Sequence, residues 1–310
     1  MKNKSGTVLK VVLLVFAIIL LCIVTGLGTA MLLLQLRADI RERNSHQTIE
    51  TEEPTGPSFL FHDPFEGDIW VPDLEGVAHC SYDPSKIVNR NGRKYYVEDG
   101  QITSAVGIDV SFCQEEIDWE QVKASGIVFA FIRCGCRTYG SGRVVEDTYF
   151  RQNMEGALAA GMDVGVYFYS QAINPSEART EAEFVLGLVE GYDLTYPIAF
   201  DWEFVDNTNA RTNDISREML TSCTKVFCDT IQKAGYTPII YQNCGTALSM
   251  LDLTKLTDYD LWLADHNSSA TYYYDYRIWQ YCSDGHVPGI TGDVDVNICY
   301  RPYERTETEG

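Results

Sequence analysis

Between residues 106 and 300 the chain alternates between two hydrophobic periods, and few folds accommodate that alternation. Short apolar runs sit at 106–110, 127–133, 163–169, 196–202, 237–242, 260–264 and 277–281. Helical patterns lie between several of them. Ile215, Met219, Cys223, Val226, Phe227, Ile231 and Ala234 recur at steps of three and four and stop at Gly235, the pattern of an amphipathic helix with a glycine just past its end. Residues 147–160 end at Gly161 in the same way, and 176–189 lie between Asn174-Pro175 and Gly191. Strands alternating with helices predict an α/β protein with a parallel sheet. So many strands in so short a length predict a compact or incomplete β/α barrel.

The segments before this region differ from it. Residues 11–36 hold 26 residues without a charge, enough to span a bilayer with some tilt. Lys2, Lys4 and Lys10 precede them without an intervening acid, so the short tail 1–10 is expected in the cytoplasm and the rest outside it. A cleaved signal peptide is the competing reading, but its apolar core is usually only roughly 7–15 residues long. Residues 37–79 are polar, acidic and punctuated by Pro and Gly, as in a stalk, although Phe59, Leu60, Phe61, Phe65, Trp70 and Val71 interrupt them. Residues 80–104 carry Asn91-Gly92 and Asp99-Gly100 on either side of an aromatic run, which predicts a small hairpin. The domain proper is placed at 105–300, with an acidic tail at 301–310.

Charge and cysteine usage narrow the function. The net charge is −20, and residues 1–43 carry six Lys/Arg against two Asp/Glu, so the remainder is near −24. An exterior this acidic excludes nucleic acid as the natural partner. Ten cysteines invite a disulfide framework, but Cys22 lies in the apolar segment, Cys134 and Cys136 are poorly spaced for pairing, and Cys223 falls on a helix stripe. Few or no disulfides are expected. The five histidines are scattered, with no H-E-x-x-H or C-x-x-C, so no metal or other cofactor is expected.

Acids fall where an α/β barrel does its chemistry, at the ends of its strands. Asp109 closes the first run. Asp201 and Glu203 close the fourth, two residues apart and hence on one face of a strand. Asp265 follows the sixth, and Asp293 and Asp295 follow the last. Singly, each is explained equally well by a helix cap, a turn or a solvated end. Aromatic residues accompany them: Tyr167, Tyr169, Tyr241, Trp262, Trp279 and Tyr281. Aromatic faces stack on sugar rings, and apolar walls raise a carboxyl's pKa. Alternation assigns about half of them to ordinary core packing.

At these positions the chain resembles the glycoside hydrolase family 25 lysozymes, the Chalaropsis type. The matching segments, in order, are Gly107-Ile108-Asp109-Val110-Ser111 with Ile117-Asp118-Trp119; Ala160-Gly161-Met162-Asp163-Val164-Gly165-Val166-Tyr167-Phe168; Phe200-Asp201-Trp202-Glu203; Pro238-Ile239-Ile240-Tyr241; Leu261-Trp262-Leu263-Ala264; and Ile278-Trp279-Gln280-Tyr281 leading to Val294-Asp295-Val296-Asn297. The resemblance implies an irregular, flattened β/α barrel that cleaves the β-1,4 bond between N-acetylmuramic acid and N-acetylglucosamine in peptidoglycan. It implies Glu203 as proton donor, with Asp201 stabilising the substrate's N-acetyl group or the oxocarbenium-like centre. Asp109 and Asp295 would complete the acidic cluster, and Tyr167 would line it. Tyr169, Tyr241, Trp262, Asp265 and Trp279 are the remaining candidates for substrate contact. Two departures from the common pattern, Tyr167-Phe168-Tyr169 and Asp265-His266, bear on subsite preference.

Two other readings compete. Family 18 chitinases also end a barrel strand in Asp-x-Glu, but their longer signature begins with Asp-Gly, which 196–203 lack. A wall-binding module with lapsed catalysis would not need all four acids. The expectation is therefore a membrane-tethered muramidase facing the bacterial wall, with peptidoglycan glycan strands as substrate and a secretion or conjugation machine as a candidate partner.

Overall fold

Four residues at positive φ build a small sheet ahead of the barrel. Asn91 (53°) and Gly92 (77°), then Asp99 (49°) and Gly100 (78°), form two tight turns of the type that matches the right-handed twist of hairpin strands. A computed structural model describes residues 56–63 and 67–304. The expected membrane helix at 11–36, the tail before it, and residues 305–310 lie outside the described residues. Among the described residues, no helix is long and apolar enough to cross a membrane.

Strands β1 (Ser58–Asp63) and β2 (Gly67–Pro72) pair as an antiparallel hairpin. This hairpin lies within the stretch expected to be stalk. Its apolar side chains explain its order: Phe59 stacks on Tyr273 at 3.9 Å, and the Tyr274 hydroxyl donates to the carbonyl of Pro72 at 2.9 Å. The two turns at 91–92 and 99–100 connect β3 (Ile87–Arg90), β4 (Arg93–Glu98) and β5 (Gln101–Ile102), so the expected hairpin is a three-stranded sheet.

The remaining strands form the barrel. In chain order they are β6 (Ala105–Val110), β7 (Phe129–Arg137), the short β8 (Val144–Glu146), β9 (Asp163–Ser170), β10 (Ile198–Trp202), β11 (Pro238–Asn243), β12 (Asp260–Ala264), β13 (Ile278–Gly285) and β14 (Val294–Cys299). The order β6-β14-β13-β12-β11-β10-β9-β7 closes through a parallel β6–β7 pairing, and β8 extends the far end of β7. Strands β6 to β13 of this ring run parallel, whereas β14 runs antiparallel to both its neighbours. The expected barrel is present, with an eighth strand, β14, beyond the seven apolar runs. The alternation of Val294, Val296 and Ile298 carried that strand, but Asp295 and Asn297 between them gave it the composition of a loop.

The sequence explains the helices locally. Helices α1 (Trp119–Ala124), α3 (Pro175–Val189), α4 (Arg217–Lys233) and α5 (Cys244–Met250) are each capped by a side chain, from Asp118, Asn174, Ser216 and Asn243 respectively. Helix α2 (Phe150–Ala159) has no side-chain cap. The stripe of α4 is rotated from the expected one. Leu220, Cys223, Phe227 and Ile231 are buried, while Met219 is exposed, because Leu220 shares the i+3, i+7, i+11 row that meets the sheet. For α3, Asn174→Ala removes the acceptor for the Glu177 amide and should cost about 1 kcal/mol, a shift of a few degrees in thermal unfolding.

Inside the barrel, alternate residues of each strand meet. Phe129, Phe131, Tyr196, Ala199, Ile239, Trp262 and Ile278 form the buried cluster on the axis. Large and small residues complement each other there. A Cβ on Gly107 would fall 2.3 Å from the Phe129 ring, and one on Gly165 would fall 2.7 Å from the Phe131 ring. The same inward rows continue to the C-terminal rim of the parallel strands. There the hydrophobic residues give way to acids, tyrosines and amides.

Candidate active site

Strand geometry decides which rim residues converge. The inward row of β6 ends in Asp109, that of β7 in Arg133, that of β9 in Tyr167 and Tyr169, and that of β10 in Asp201. Because β14 is antiparallel, its first turns lie beside the ends of its neighbours, and Asp295 pairs directly with Asp109 in the ladder. Glu203, one residue past β10, enters the same space. Together with Tyr241, Trp262, His266 and Gln280, these residues line one cavity of about 280 Å³. All four expected acids, and Tyr167, Tyr169, Tyr241 and Trp262, are therefore brought to one place.

Two expected substrate contacts are not. Trp279 lies between the inward-facing Ile278 and Gln280, so the period of two turns it outward. It is fully buried against Lys94, whose ammonium sits 4.8 Å from the ring, and its indole N–H donates to the Asp265 carbonyl. The Asp265 side chain turns away from the cavity. It accepts from the backbone and hydroxyl of Thr271 and from Asn267, and so ties down the loop after β12.

Amides arrange the acids. Asn297 Nδ2 donates to Asp109 Oδ2 at 2.7 Å and Gln280 Nε2 donates to the same oxygen at 3.0 Å. Asn297 Oδ1 accepts from the Trp262 indole at 2.8 Å, and Gln280 Oε1 accepts from the Tyr241 hydroxyl at 2.9 Å. Trp262 is thus part of the floor. Arg133 stands at the wall: its Nε donates to the buried Asp147 at 2.7 Å, and Phe112 covers its guanidinium at 4.7 Å. Sequence reasoning missed Arg133, Gln280, Asn297 and Asp147 as site residues. Gln280 and Asn297 share the strand parity of the acids, and that parity was the available signal.

Four carboxyls in one desolvated space cannot all ionise. Burial pushes Asp201 well above the ordinary carboxylate range, and the charges of Glu203 and Asp109 act in the same direction. Burial also raises Glu203, and its hydrogen bond with Asp201 partly offsets this. Each ionisation opposes the other, so the two titrate as a pair. Burial raises Asp109 too, against its two amide donors. Asp295 is pushed up to about 8, by burial first and by the Asp109 charge second. The cavity therefore holds protonated and ionised carboxyls side by side near neutral pH, the arrangement acid-catalysed glycoside cleavage uses.

Comparison with known proteins identifies the family. The profile described as Glycosyl hydrolases family 25 matches residues 108–290. The autolytic lysozyme of Clostridium acetobutylicum is 27% identical over 192 residues, covering 62% of this chain and 54% of its own length. Lysozyme M1 of Streptomyces globisporus is 28% identical over 214 residues, covering 63% of this chain and 68% of its own. The chain thus spans about half of the first relative and about two thirds of the second. In fold it is similar to the modular autolysin LytC of Streptococcus pneumoniae, solved with a synthetic peptidoglycan ligand, at a TM-score of 0.59 and 23% identity over 78% of this chain and 56% of that one. It is also similar to a family 25 glycosyl hydrolase of Bacillus anthracis, at a TM-score of 0.54 and 23% identity over 68% and 95% of the two chains. With its profile match over more than half its length and its acids gathered at one rim, this chain belongs to glycosyl hydrolase family 25.

Proposed function

We propose that the protein is a muramidase that cleaves the β-1,4 bond between N-acetylmuramic acid and N-acetylglucosamine in peptidoglycan. The observation that carries this is the meeting of Asp109, Asp201, Glu203 and Asp295 around one sugar-sized cavity. Supporting it are the lysozyme names of the two relatives and the peptidoglycan ligand of LytC. In this reading Glu203 donates its proton to the leaving glycosidic oxygen. Asp201, on the same strand end and the same side of the sugar, orients the substrate's N-acetyl group, whose carbonyl oxygen attacks the anomeric carbon. Asp109, whose one carboxyl oxygen two amides hold as an acceptor, then faces the oxocarbenium-like centre, with Asp295 beside it. Mass spectrometry of soluble fragments from purified walls tests the bond: muramic acid reducing ends are expected, and glucosamine reducing ends would overturn the assignment. Attack by the N-acetyl group predicts retention at the anomeric carbon in an NMR time course, and inversion would rule that route out.

The setting we propose is the outer face of a bacterial membrane. Residues 11–36 would hold the chain there in a single pass, which keeps an acidic enzyme close to a polyanionic wall that would otherwise repel it. Such placement suits wall remodelling beside a secretion or conjugation machine. Protease protection of the intact cell's C-terminal domain, in place of its digestion, would sink this topology.

A further inference from the structure

Glu203 lies one residue beyond the end of β10, where sheet hydrogen bonding can no longer fix the backbone. Pairing of β10 with β11 ends at Asp201 and Tyr241, and pairing with β9 ends at Trp202 and Ser170. Past those points two glutamine side chains replace the ladder. Gln171, directly after β9, donates from Nε2 to the Glu203 carbonyl at 2.9 Å. Gln242, on β11, donates from Nε2 to the Trp202 carbonyl. The two amides approach successive carbonyls from the two strands that flank β10.

Both glutamines are almost fully buried. Gln171 is itself fixed. Its Nε2 also donates to the Ser170 carbonyl, and its Oε1 accepts from the Thr212 hydroxyl at 2.8 Å. Its backbone carbonyl accepts from Arg211, whose guanidinium forms two bonds of 2.7 Å to Glu177. Next to it, Ser170 donates to Glu181, which Arg137 holds at 2.6 Å. A partly buried ion network therefore braces the backbone of Ser170 and Gln171, from which the amide reaches Glu203.

We propose that Gln171 and Gln242 are positioning residues, a clamp on the carbonyls of Glu203 and Trp202 that sets the direction in which the Glu203 carboxyl enters the cavity. The proposal rests on the muramidase reading for its kinetic consequence but not for its geometry. A misplacement of about 1 Å in a reacting group can cost on the order of 100-fold in rate. The clamp acts on the backbone and touches no substrate, so its loss should lower kcat and leave KM nearly unchanged.

The test uses the full-length chain with Gln171→Met, which keeps the shape and removes both amide functions, and with Gln171→Asn, which restores an amide. Thr212→Val is the milder variant: it keeps the glutamine and frees its Oε1. With Gln171→Met, kcat on purified walls should fall roughly 10- to 100-fold with KM within about threefold, and Gln171→Asn should recover part of it. Thr212→Val should show the same split at smaller size. A titration of the ¹³C-labelled Glu203 carboxyl reads the geometry without turnover, and its midpoint should move in Gln171→Met or, if that variant does not fold, in Thr212→Val. An unmoved midpoint with unchanged kcat, or a fall in thermal stability alone, overturns the clamp. Wild-type protein without activity on walls defeats the muramidase reading, and the carboxyl titration then decides the clamp by itself.

Discussion

Glu203→Gln should lower the rate of wall lysis by about 10²–10⁴-fold while leaving binding and fold nearly intact. The amide has the shape of the carboxyl and can accept the same contacts, but it has no proton to give. The other three carboxyls are each engaged elsewhere. Asp109 is held by two amide donors on one oxygen and is oriented as an acceptor. Asp201 sits deeper, with its side chain almost fully buried and its ionisation opposed by Glu203. Asp295 faces Asp109 across the β6–β14 ladder. Release of reducing ends from purified walls, together with pull-down on the same walls, separates the two effects: the first should collapse and the second persist. Lysis at the wild-type rate would remove Glu203 from the acid role.

Asp201→Asn should fail differently, because it keeps the Glu203 carboxyl but removes the neighbouring acid that, in the proposed mechanism, orients the N-acetyl group. The two variants should thus share a low kcat but differ in the pH profile. Glu203→Gln should flatten the limb that reports the acid.

How much of this was legible in the sequence depends on which physical signal each residue carried. The parallel strands stood out because their apolar runs are short, rich in branched and aromatic residues and bounded by Gly, Asn or Pro. Asp201 and Glu203 stood out because a strand's period of two puts them on one face. Strand β14 did not, since its inward positions are Asp295 and Asn297, polar for the sake of the site and therefore loop-like in composition. Trp279 was misplaced for the opposite reason: an aromatic residue near the rim suits a sugar platform, yet its parity with Gln280 turns it toward Lys94. Arg133 was hidden at the end of an apolar run, and only the pairing of β6 with β7 brings it to the acids. The clamp by Gln171 and Gln242 carries no local signature at all. Each glutamine serves a backbone atom more than thirty residues away in sequence, and only tertiary structure sets that distance.

Asp295→Asn should stabilise the protein at alkaline pH and do nothing for it in acid. The sign follows from the direction of the shift. In the unfolded chain the carboxyl titrates near 3.8, and in the folded chain it is pushed up to about 8. Between those values the folded state binds the extra proton, so stability falls as pH rises through that window. Below about pH 4 both states are protonated and the group is neutral to folding. An asparagine has no proton to lose, so the variant's stability should not carry this decline. It can still donate to Asp109, which keeps the ladder pair joined. The full shift would correspond to about 6 kcal/mol. Coupling to Asp109 and the partial exposure of Asp295 reduce it to roughly 2–3 kcal/mol, or several degrees in Tm. Urea unfolding near pH 3 and near pH 9 should therefore give matching curves at the first and a more stable variant at the second. Equal curves at both would mean that Asp295 ionises freely in the folded protein. The same substitution should depress activity, since the charge that destabilises the fold is the charge that would face the developing positive centre. Stability gained at alkaline pH and catalysis lost would then have one cause, a carboxylate held where water cannot solvate it.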